Sequence, residues 1–263
     1  MLKNIPQPEE ILVAVKKNDF VIYNDAFDMK VLDEMKSFWI KFFNEKNRNN
    51  FKSTDLYGST RSIGDDNYNS FRKDKDVGMY RRSEFPWNKS ENKLTQKLIS
   101  ELNQTRNLAL GLNKNHGMVF DADLEVSFSQ VNCYPSNEGE MFPHKDTKKD
   151  GILLSCMFNI TSKKVDFDEG GLYLIIDNKK IDIDALMSPC SVIFYNGNLV
   201  HGVDKIYSKS NVGRIAGYPM KQFFLAKSRT PNYIKKIIRI DNAIRRRLNL
   251  GSAVKQGNSA IKK

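Results

Sequence analysis

Ser191-Val192-Ile193-Phe194-Tyr195-Asn196-Gly197-Asn198-Leu199-Val200-His201-Gly202-Val203 is the stretch on which the fold turns. Ser191 to Tyr195 is a short run rich in β-branched and aromatic residues, stopped at once by Asn196-Gly197-Asn198. That length and that ending predict a buried strand and a turn. The same text recurs around it. Leu124 to Tyr134, Ile152 to Ile160, Leu172 to Ile176 and Val212 to Leu225 have the same composition, punctuated by Pro135-Ser136-Asn137, Gly170-Gly171 and Asp177-Asn178. Leu172 to Ile176, Asp177-Asn178 and Lys179 to Ile183 together read as a hairpin. Several strands at this spacing, with no long helix between them, predict a mainly β sandwich or jelly-roll barrel.

The first half reads differently. Asp19 to Tyr23 looks like a short strand. Lys30 to Glu45 carries Val31, Leu32, Met35, Phe38, Trp39, Phe42 and Phe43 at helical spacing. Lys46 to Lys89 is polar and rich in Gly, Asp, Asn and Ser, and reads as long loops, of which Lys46 to Asp76 could be a lid or equally a disordered connection. Ser90 reads as an N-cap for a second amphipathic helix, marked by Leu94, Leu98, Leu102 and Leu108 and ending near Gly111.

The chain has 263 residues, enough for one domain with a buried core. We read a single domain over 1–226, helix- and loop-rich in 1–123 with the β core in 124–226, followed by a basic tail over 227–263. The formal net charge of +11 is concentrated in that tail, which holds eleven Lys or Arg residues against Asp241 alone. The rest of the chain is nearly neutral, so no nucleic-acid partner is expected. Ile234, Ile237, Ile238, Ile244 and Leu248 make the tail an amphipathic segment expected to pack on the body; a membrane-surface or nucleic-acid role is its alternative reading. No apolar run is long enough for a membrane span, and the start lacks the core of a secretory signal, which points to the cytoplasm. Cys133, Cys156 and Cys190 are too few, and too close to apolar strands, for a disulfide framework; buried free thiols are expected. The oligomeric state is left open.

Two of the three histidines suit a metal. In His144-Lys145-Asp146 an imidazole and a carboxylate stand two apart, on one face if the chain is extended. His201 follows the strand and turn quoted above. Two histidines and one carboxylate are the ligand set of non-haem iron(II) oxygenases, with positions left open for other ligands. The bland alternative is a surface turn and a hydrogen-bonded strand end. Arg214 lies on the next strand. An arginine inside a barrel is costly unless it meets an anion, and its planar fork suits a carboxylate. That anion is either a metal-bound dicarboxylate or a nearby acid of the chain. Gln130, Asn132 and Tyr134 share one strand face, which suits a hydrophilic pocket or a solvated sheet face. Met79 to Trp87 sets Arg81 and Arg82 among aromatics, a setting for an anionic or sugar-like substrate group or for an ordinary surface loop, and Arg81, Arg82 and Trp87 are the substrate-contact candidates.

Tyr134-Pro135-Ser136-Asn137-Glu138-Gly139, His144-Lys145-Asp146, Glu169-Gly170-Gly171, Asn198-Leu199-Val200-His201-Gly202-Val203 and Arg214, in that order, resemble the Fe(II)/2-oxoglutarate-dependent dioxygenase superfamily, nearest its prolyl-4-hydroxylase-like branch. The resemblance covers roughly residues 124–224. It implies a double-stranded β-helix with the N-terminal helices supporting one sheet. It implies Fe(II), 2-oxoglutarate and O2 as metal and co-substrates. His144, Asp146 and His201 then match the iron ligands and Arg214 the residue for the distal carboxylate of 2-oxoglutarate. Tyr134 matches an aromatic of the co-substrate pocket, with Asn132 and Gln130 beside it. The presence of Asp146 implies hydroxylation or a related oxidation in place of halogenation. Two features depart from the pattern. Ala216 stands where some relatives have serine, and the strand Ile152 to Ile160 offers only Phe158 and Asn159 where relatives have tyrosine; Tyr218 or Tyr173 could substitute. The implied reaction is hydroxylation of a small molecule such as an amino acid, sugar or specialised metabolite. The alternatives are the same chemistry on a protein side chain, a cupin-like metal-dependent isomerase or hydrolase, and a barrel that only binds a ligand.

Overall fold

The first elements of the chain are α1 (Pro8–Asn18), β1 (Phe20–Tyr23), α2 (Met29–Phe42), β2 (Lys52–Ser53), β3 (Tyr68–Asp74), β4 (Val77–Glu84) and α3 (Lys93–Ala109). They belong to a computed structural model that describes residues 1–44, 50–53, 67–74, 77–118, 125–146, 153–209 and 212–223. Eight strands follow: β5 (Glu125–Tyr134), β6 (Met141–His144), β7 (Leu154–Asn159), β8 (Glu169–Ile176), β9 (Lys179–Asp182), β10 (Val192–Asn196), β11 (Val200–Tyr207) and β12 (Arg214–Phe223). A single helical turn, α4 (Ile183–Leu186), lies between β9 and β10.

Ten of the strands fall into two antiparallel layers, with β3 added antiparallel to β4 and β2 parallel to β3. The larger runs β1-β10-β7-β12-β5-β4 and the smaller β6-β11-β8-β9, and β4 joins them through the pair Val77 and Met141. From β5 onward the chain crosses repeatedly between the layers, the winding of a double-stranded β-helix. Its hairpin β8–β9 turns through Asp177 and Asn178 at φ 49° and 61°, the left-handed pair that a tight two-residue turn needs.

Strand alternation gives the larger sheet two apolar faces. Outward, Val131, Cys133, Cys156, Phe158, Val192, Phe194 and Ile215 pack under α1, α2 and α3, against Ile11, Val15, Met35, Trp39 and Leu98 among others. Inward, Met157, Ile193, Tyr195 and Ala216 meet Leu172 and Leu174 of the smaller sheet. All three cysteines are buried and none forms a disulfide, as expected from their placement.

Several expectations need correction. The stretch Lys46 to Lys89 is not all loop: β2, β3 and β4 lie in it. β4 escaped notice because its alternation is written partly in charge. Arg82 and Glu84 are buried on one face and paired with each other, so the buried positions read as polar. The N-cap of α3 is Asn92, whose side chain accepts from the Thr95 N–H at 2.9 Å, and Ser90 instead bonds the Asn92 N–H. α1 was not foreseen; its apolar side needs only Ile11 and Val15, too sparse a stripe to read. The basic tail, residues 147–152 and most of the suggested lid lie outside the described residues.

Trp39 anchors the helical layer: it is buried, and its indole N–H donates to Thr95 Oγ at 2.8 Å. Trp39→Ala is expected to cost about 3–5 kcal/mol of stability in urea denaturation; a loss below about 1 kcal/mol would mean the helices are not docked as described.

Candidate metal centre

β6 and β11 are antiparallel neighbours, with His144 directly opposite His201. Cross-strand partners project from the same face, and the two imidazole centroids are 4.4 Å apart. Asp146 stands two residues past the end of β6, not within a strand, and His201 is the second residue of β11, not a residue beyond a strand end. The Asp146 N–H donates to the Gly197 carbonyl at 3.0 Å, which ties it to the turn leading into β11. Asp146 carboxylate oxygens lie 3.9 Å from His144 Nε2 and 3.5 Å from His201 Nε2. The ligand atoms of all three residues fall within 4.8 Å of one another. Ligand bonds of about 2.0–2.2 Å ask for separations of this order, so the group could hold one metal ion.

The tautomers agree with that use. His144 Nδ1 lies 2.9 Å from the Phe142 carbonyl and His201 Nδ1 2.9 Å from the Leu199 carbonyl. A carbonyl only accepts, so each Nδ1 carries the proton and each Nε2 is left as a ligand nitrogen, fixed in direction by the backbone two residues behind it. Burial pulls the His201 pKa down, but the hydrogen bond to Asp146 outweighs it and leaves His201 above the ordinary histidine value. Burial raises the Asp146 pKa, and the two histidines more than reverse this, leaving it below the carboxylate range.

The barrel wall beside this group is polar. Register pairs Arg214 with Tyr134, Ala216 with Asn132 and Tyr218 with Gln130, and continues to Arg81 opposite Asn132 and Ser83 opposite Gln130. These residues share the inward face. Asn132 hydrogen-bonds the Tyr134 hydroxyl. Asn132 Oδ1 and Ser83 Oγ are buried with no hydrogen-bond partner among the described residues, and buried polar atoms of that kind call for a ligand or water. Arg82 points to the other face, held by Glu84, Asn69 and Glu91. Trp87 stacks on Phe85 in a separate cluster with Phe128 and Met220. Of the three candidates for substrate contact, the structure brings only Arg81 to the pocket side.

Arg214 is fully buried, as is its partner Asp184. Nε donates to Asp184 Oδ2 at 2.5 Å and Nη2 to Asp184 Oδ1 at 3.1 Å, a bidentate pair. Nη2 also reaches Asn159 Oδ1 at 3.0 Å, and Nη1 reaches the Tyr218 hydroxyl at 3.0 Å. The nearby acid and the open edge both exist. Burial alone would lower the Arg214 pKa; the Asp184 charge more than offsets it, and the value ends above that of a free arginine. Of the two tyrosines considered beside it, Tyr218 is in contact and Tyr173 is not: Tyr173 lies opposite Gly202 with Lys180 Nζ 4.1 Å from its ring centroid.

Three residues here were not singled out from sequence. Tyr195 sits edge-on to His201, centroids 5.7 Å apart, and burial, with the nearby Asp146 charge, pushes its pKa well above the ordinary tyrosine value. Its inward position follows from strand alternation with Ile193. Asn159 was noted only as a departure. Asp184 carries no sequence signal beyond being one of several acids near β9.

Two outcomes are expected. A metal needs neutral imidazole, and His201 holds its proton above the ordinary value. Metal affinity should therefore be full at alkaline pH and fall as pH drops through a value higher than that of a free histidine. Iron(II) titrations between about pH 8 and pH 6 read this; a constant affinity across that range would contradict it. Asp184→Ala, which strands a buried guanidinium, should cost about 3–5 kcal/mol in chemical denaturation; a cost under about 1 kcal/mol would mean the pair is not buried.

No family model matches the chain, and no curated protein does. Solved structures do. A prolyl-4-hydroxylase from Pseudomonas putida aligns at 12% identity and TM-score 0.53, covering 81% of this chain and 99% of that one. A prolyl hydroxylase from Trichoplax adhaerens, in complex with a hypoxia inducible factor oxygen degradation domain peptide fragment, aligns at 14% and 0.50, covering 81% and 88%. A non-heme alpha-ketoglutarate-dependent carbocyclase from nogalamycin biosynthesis aligns at 10% and 0.50, covering 90% and 91%. At these identities the likeness is one of fold, and it reaches almost the full length of each partner. The chain therefore has the jelly-roll fold of the prolyl-4-hydroxylase-like 2-oxoglutarate and iron(II) oxygenases.

Proposed function

We propose that the chain is a non-haem iron(II)- and 2-oxoglutarate-dependent oxygenase. Its reaction is hydroxylation of an unactivated C–H bond of a small molecule, with release of succinate and CO2. The observation that carries this reading is the presence of two ionic features in one barrel: the His144, Asp146 and His201 group and the buried Arg214 with its Tyr218-facing edge. The domain of 1–226 does this work, and the tail is an appended segment. Three buried cysteines that form no disulfide suit a reducing compartment such as the cytoplasm. Among the described residues no helix is long and apolar enough to cross a membrane.

His144 Nε2, one Asp146 oxygen and His201 Nε2 are the atoms that would hold iron, all from one side, so that the opposite positions stay open. Bound iron and 2-oxoglutarate supply the oxidising chemistry. The chain's own groups do the positioning. Arg214 Nη1 and the Tyr218 hydroxyl form the receptor for a carboxylate. Tyr218 accepts from Nη1, so its own proton is free to donate to that carboxylate. Tyr134, Asn132 and Gln130 line the wall between, and Tyr195 closes the space beside His201 against water. Arg81 offers a cation to the substrate from the same side of the sheet.

The competing cupin-like reading has no use for a buried arginine hydrogen-bonded to a tyrosine on the barrel's inward face. The peptide-hydroxylase reading shares all of these groups and differs in the substrate alone. Anaerobic reconstitution with iron(II), followed by succinate measurement in air, separates the classes. Succinate formation should require both iron(II) and 2-oxoglutarate and rise with a member of a small-molecule pool. Asp146→Ala should lower it by at least about 100-fold. Unchanged succinate formation in Asp146→Ala, or turnover with zinc and no 2-oxoglutarate, would overturn the proposal.

A further inference from the structure

A guanidinium has two edges that a carboxylate can use, and in Arg214 they are assigned differently. The Nε and Nη2 edge is taken by Asp184, and Nη1 faces Tyr218. Rotation about the last side-chain bonds would exchange these edges unless something holds them. Asp184 is itself held from three directions. Its Oδ1 accepts from Asn159 Nδ2 at 2.7 Å, its Oδ2 accepts from the Leu172 N–H at 2.8 Å, and both oxygens take Arg214. The fourth constraint is an absence. A Cβ on Gly171 would lie 2.5 Å from Asp184 Oδ2 and 3.0 Å from its Cβ, and Gly171 has φ +114°, a conformation that side chains disfavour. The Asp184 carboxylate occupies the space that glycine leaves. The Glu169-Gly170-Gly171 motif thus has a structural purpose that its position in β8 alone does not reveal.

We infer that Asp184 is a positioning residue for co-substrate selection: seated against Gly171, it fixes Arg214 so that only the Nη1 edge meets the distal carboxylate. The inference rests on the proposed function. It also says that the pocket end carries little net charge, because Asp184 neutralises the guanidinium. Selection of a dicarboxylate then depends on directed N–H and O–H donors, and so on the orientation that Asp184 imposes. A purely structural ion pair would stabilise the barrel without affecting which 2-oxo acid binds.

The test compares two 2-oxo acids that share the chelating end and differ at the other. Iron(II)-loaded full-length protein is titrated anaerobically with 2-oxoglutarate and with pyruvate, followed by visible absorbance. The variants are Asp184→Asn, Gly171→Ala and Asn159→Ala, the last keeping the ion pair should the first two fail to fold. In the variants the preference for 2-oxoglutarate over pyruvate should fall by at least about tenfold for Asp184→Asn and Gly171→Ala and in the same direction, less steeply, for Asn159→Ala. Pyruvate affinity should change little by comparison. An unchanged preference, or equal weakening of both acids, would overturn the positioning role. A wild-type chain with no preference would instead refute the co-substrate reading beneath it.

Discussion

A guanidinium withdrawn completely from water must be matched by an anion, and much of this barrel's interior is arranged around that requirement. Arg214 begins β12, Asp184 sits on the single turn α4, Asn159 ends β7 and the Leu172 N–H belongs to β8. One ion pair therefore ties the larger sheet to the smaller and to the connection between them. Such a pair is weak evidence for stability in itself, since the desolvation it costs is comparable with the attraction it returns. Its geometric effect is surer: one edge of the arginine is committed and the other is turned toward Tyr218. The glycine at 171 is part of the same arrangement.

The metal group depends on a second constraint, strand register. Antiparallel pairing of β6 and β11 sets His144 against His201, and a one-residue slip of either strand would turn its histidine to the opposite face, away from the other. The turn Asn196-Gly197-Asn198 does more than reverse the chain, because the Gly197 carbonyl also receives the Asp146 N–H. The larger sheet is kept rigid from outside by α1, α2 and α3, whose apolar sides cover Phe158, Phe194 and Ile215. Residues that carry chemistry stand on the inward face, beside the smaller apolar cluster of Met157, Leu172, Leu174 and Ile193, while the outward face carries the packing under the helices. Alternation along each strand keeps the two duties apart.

That division explains what could be read from the residues alone. The barrel class and the strands β5, β7, β8, β10 and β12 were legible because they are rich in β-branched and aromatic residues and bounded by strong turns; β1 was legible as a short apolar run, and β9 from the Asp177-Asn178 turn that pairs it with β8. His144, Asp146 and His201 were legible as a set because histidine is scarce and the spacing fits an extended chain. β4 was hidden because Arg82 and Glu84 neutralise each other where apolar residues would ordinarily mark the buried face. β6 was hidden by its length, four residues with a proline among them. Arg214 could be given two partners from sequence, and Asp184 could not be chosen, because a long-range ion pair across 30 residues leaves no periodic trace. Arg82 and Trp87 looked like neighbours of Arg81, but strand alternation turns Arg82 away, and Trp87 lies beyond the end of β4 in another cluster.

The most direct measurement is a crystal structure of the protein prepared anaerobically with iron(II) and 2-oxoglutarate. The expected result is iron on His144 Nε2, Asp146 and His201 Nε2, and the distal carboxylate hydrogen-bonded to Arg214 Nη1 and the Tyr218 hydroxyl, with Asp184 still on the Nε edge. Iron bound elsewhere, or a 2-oxoglutarate molecule that does not touch Arg214, would contradict it.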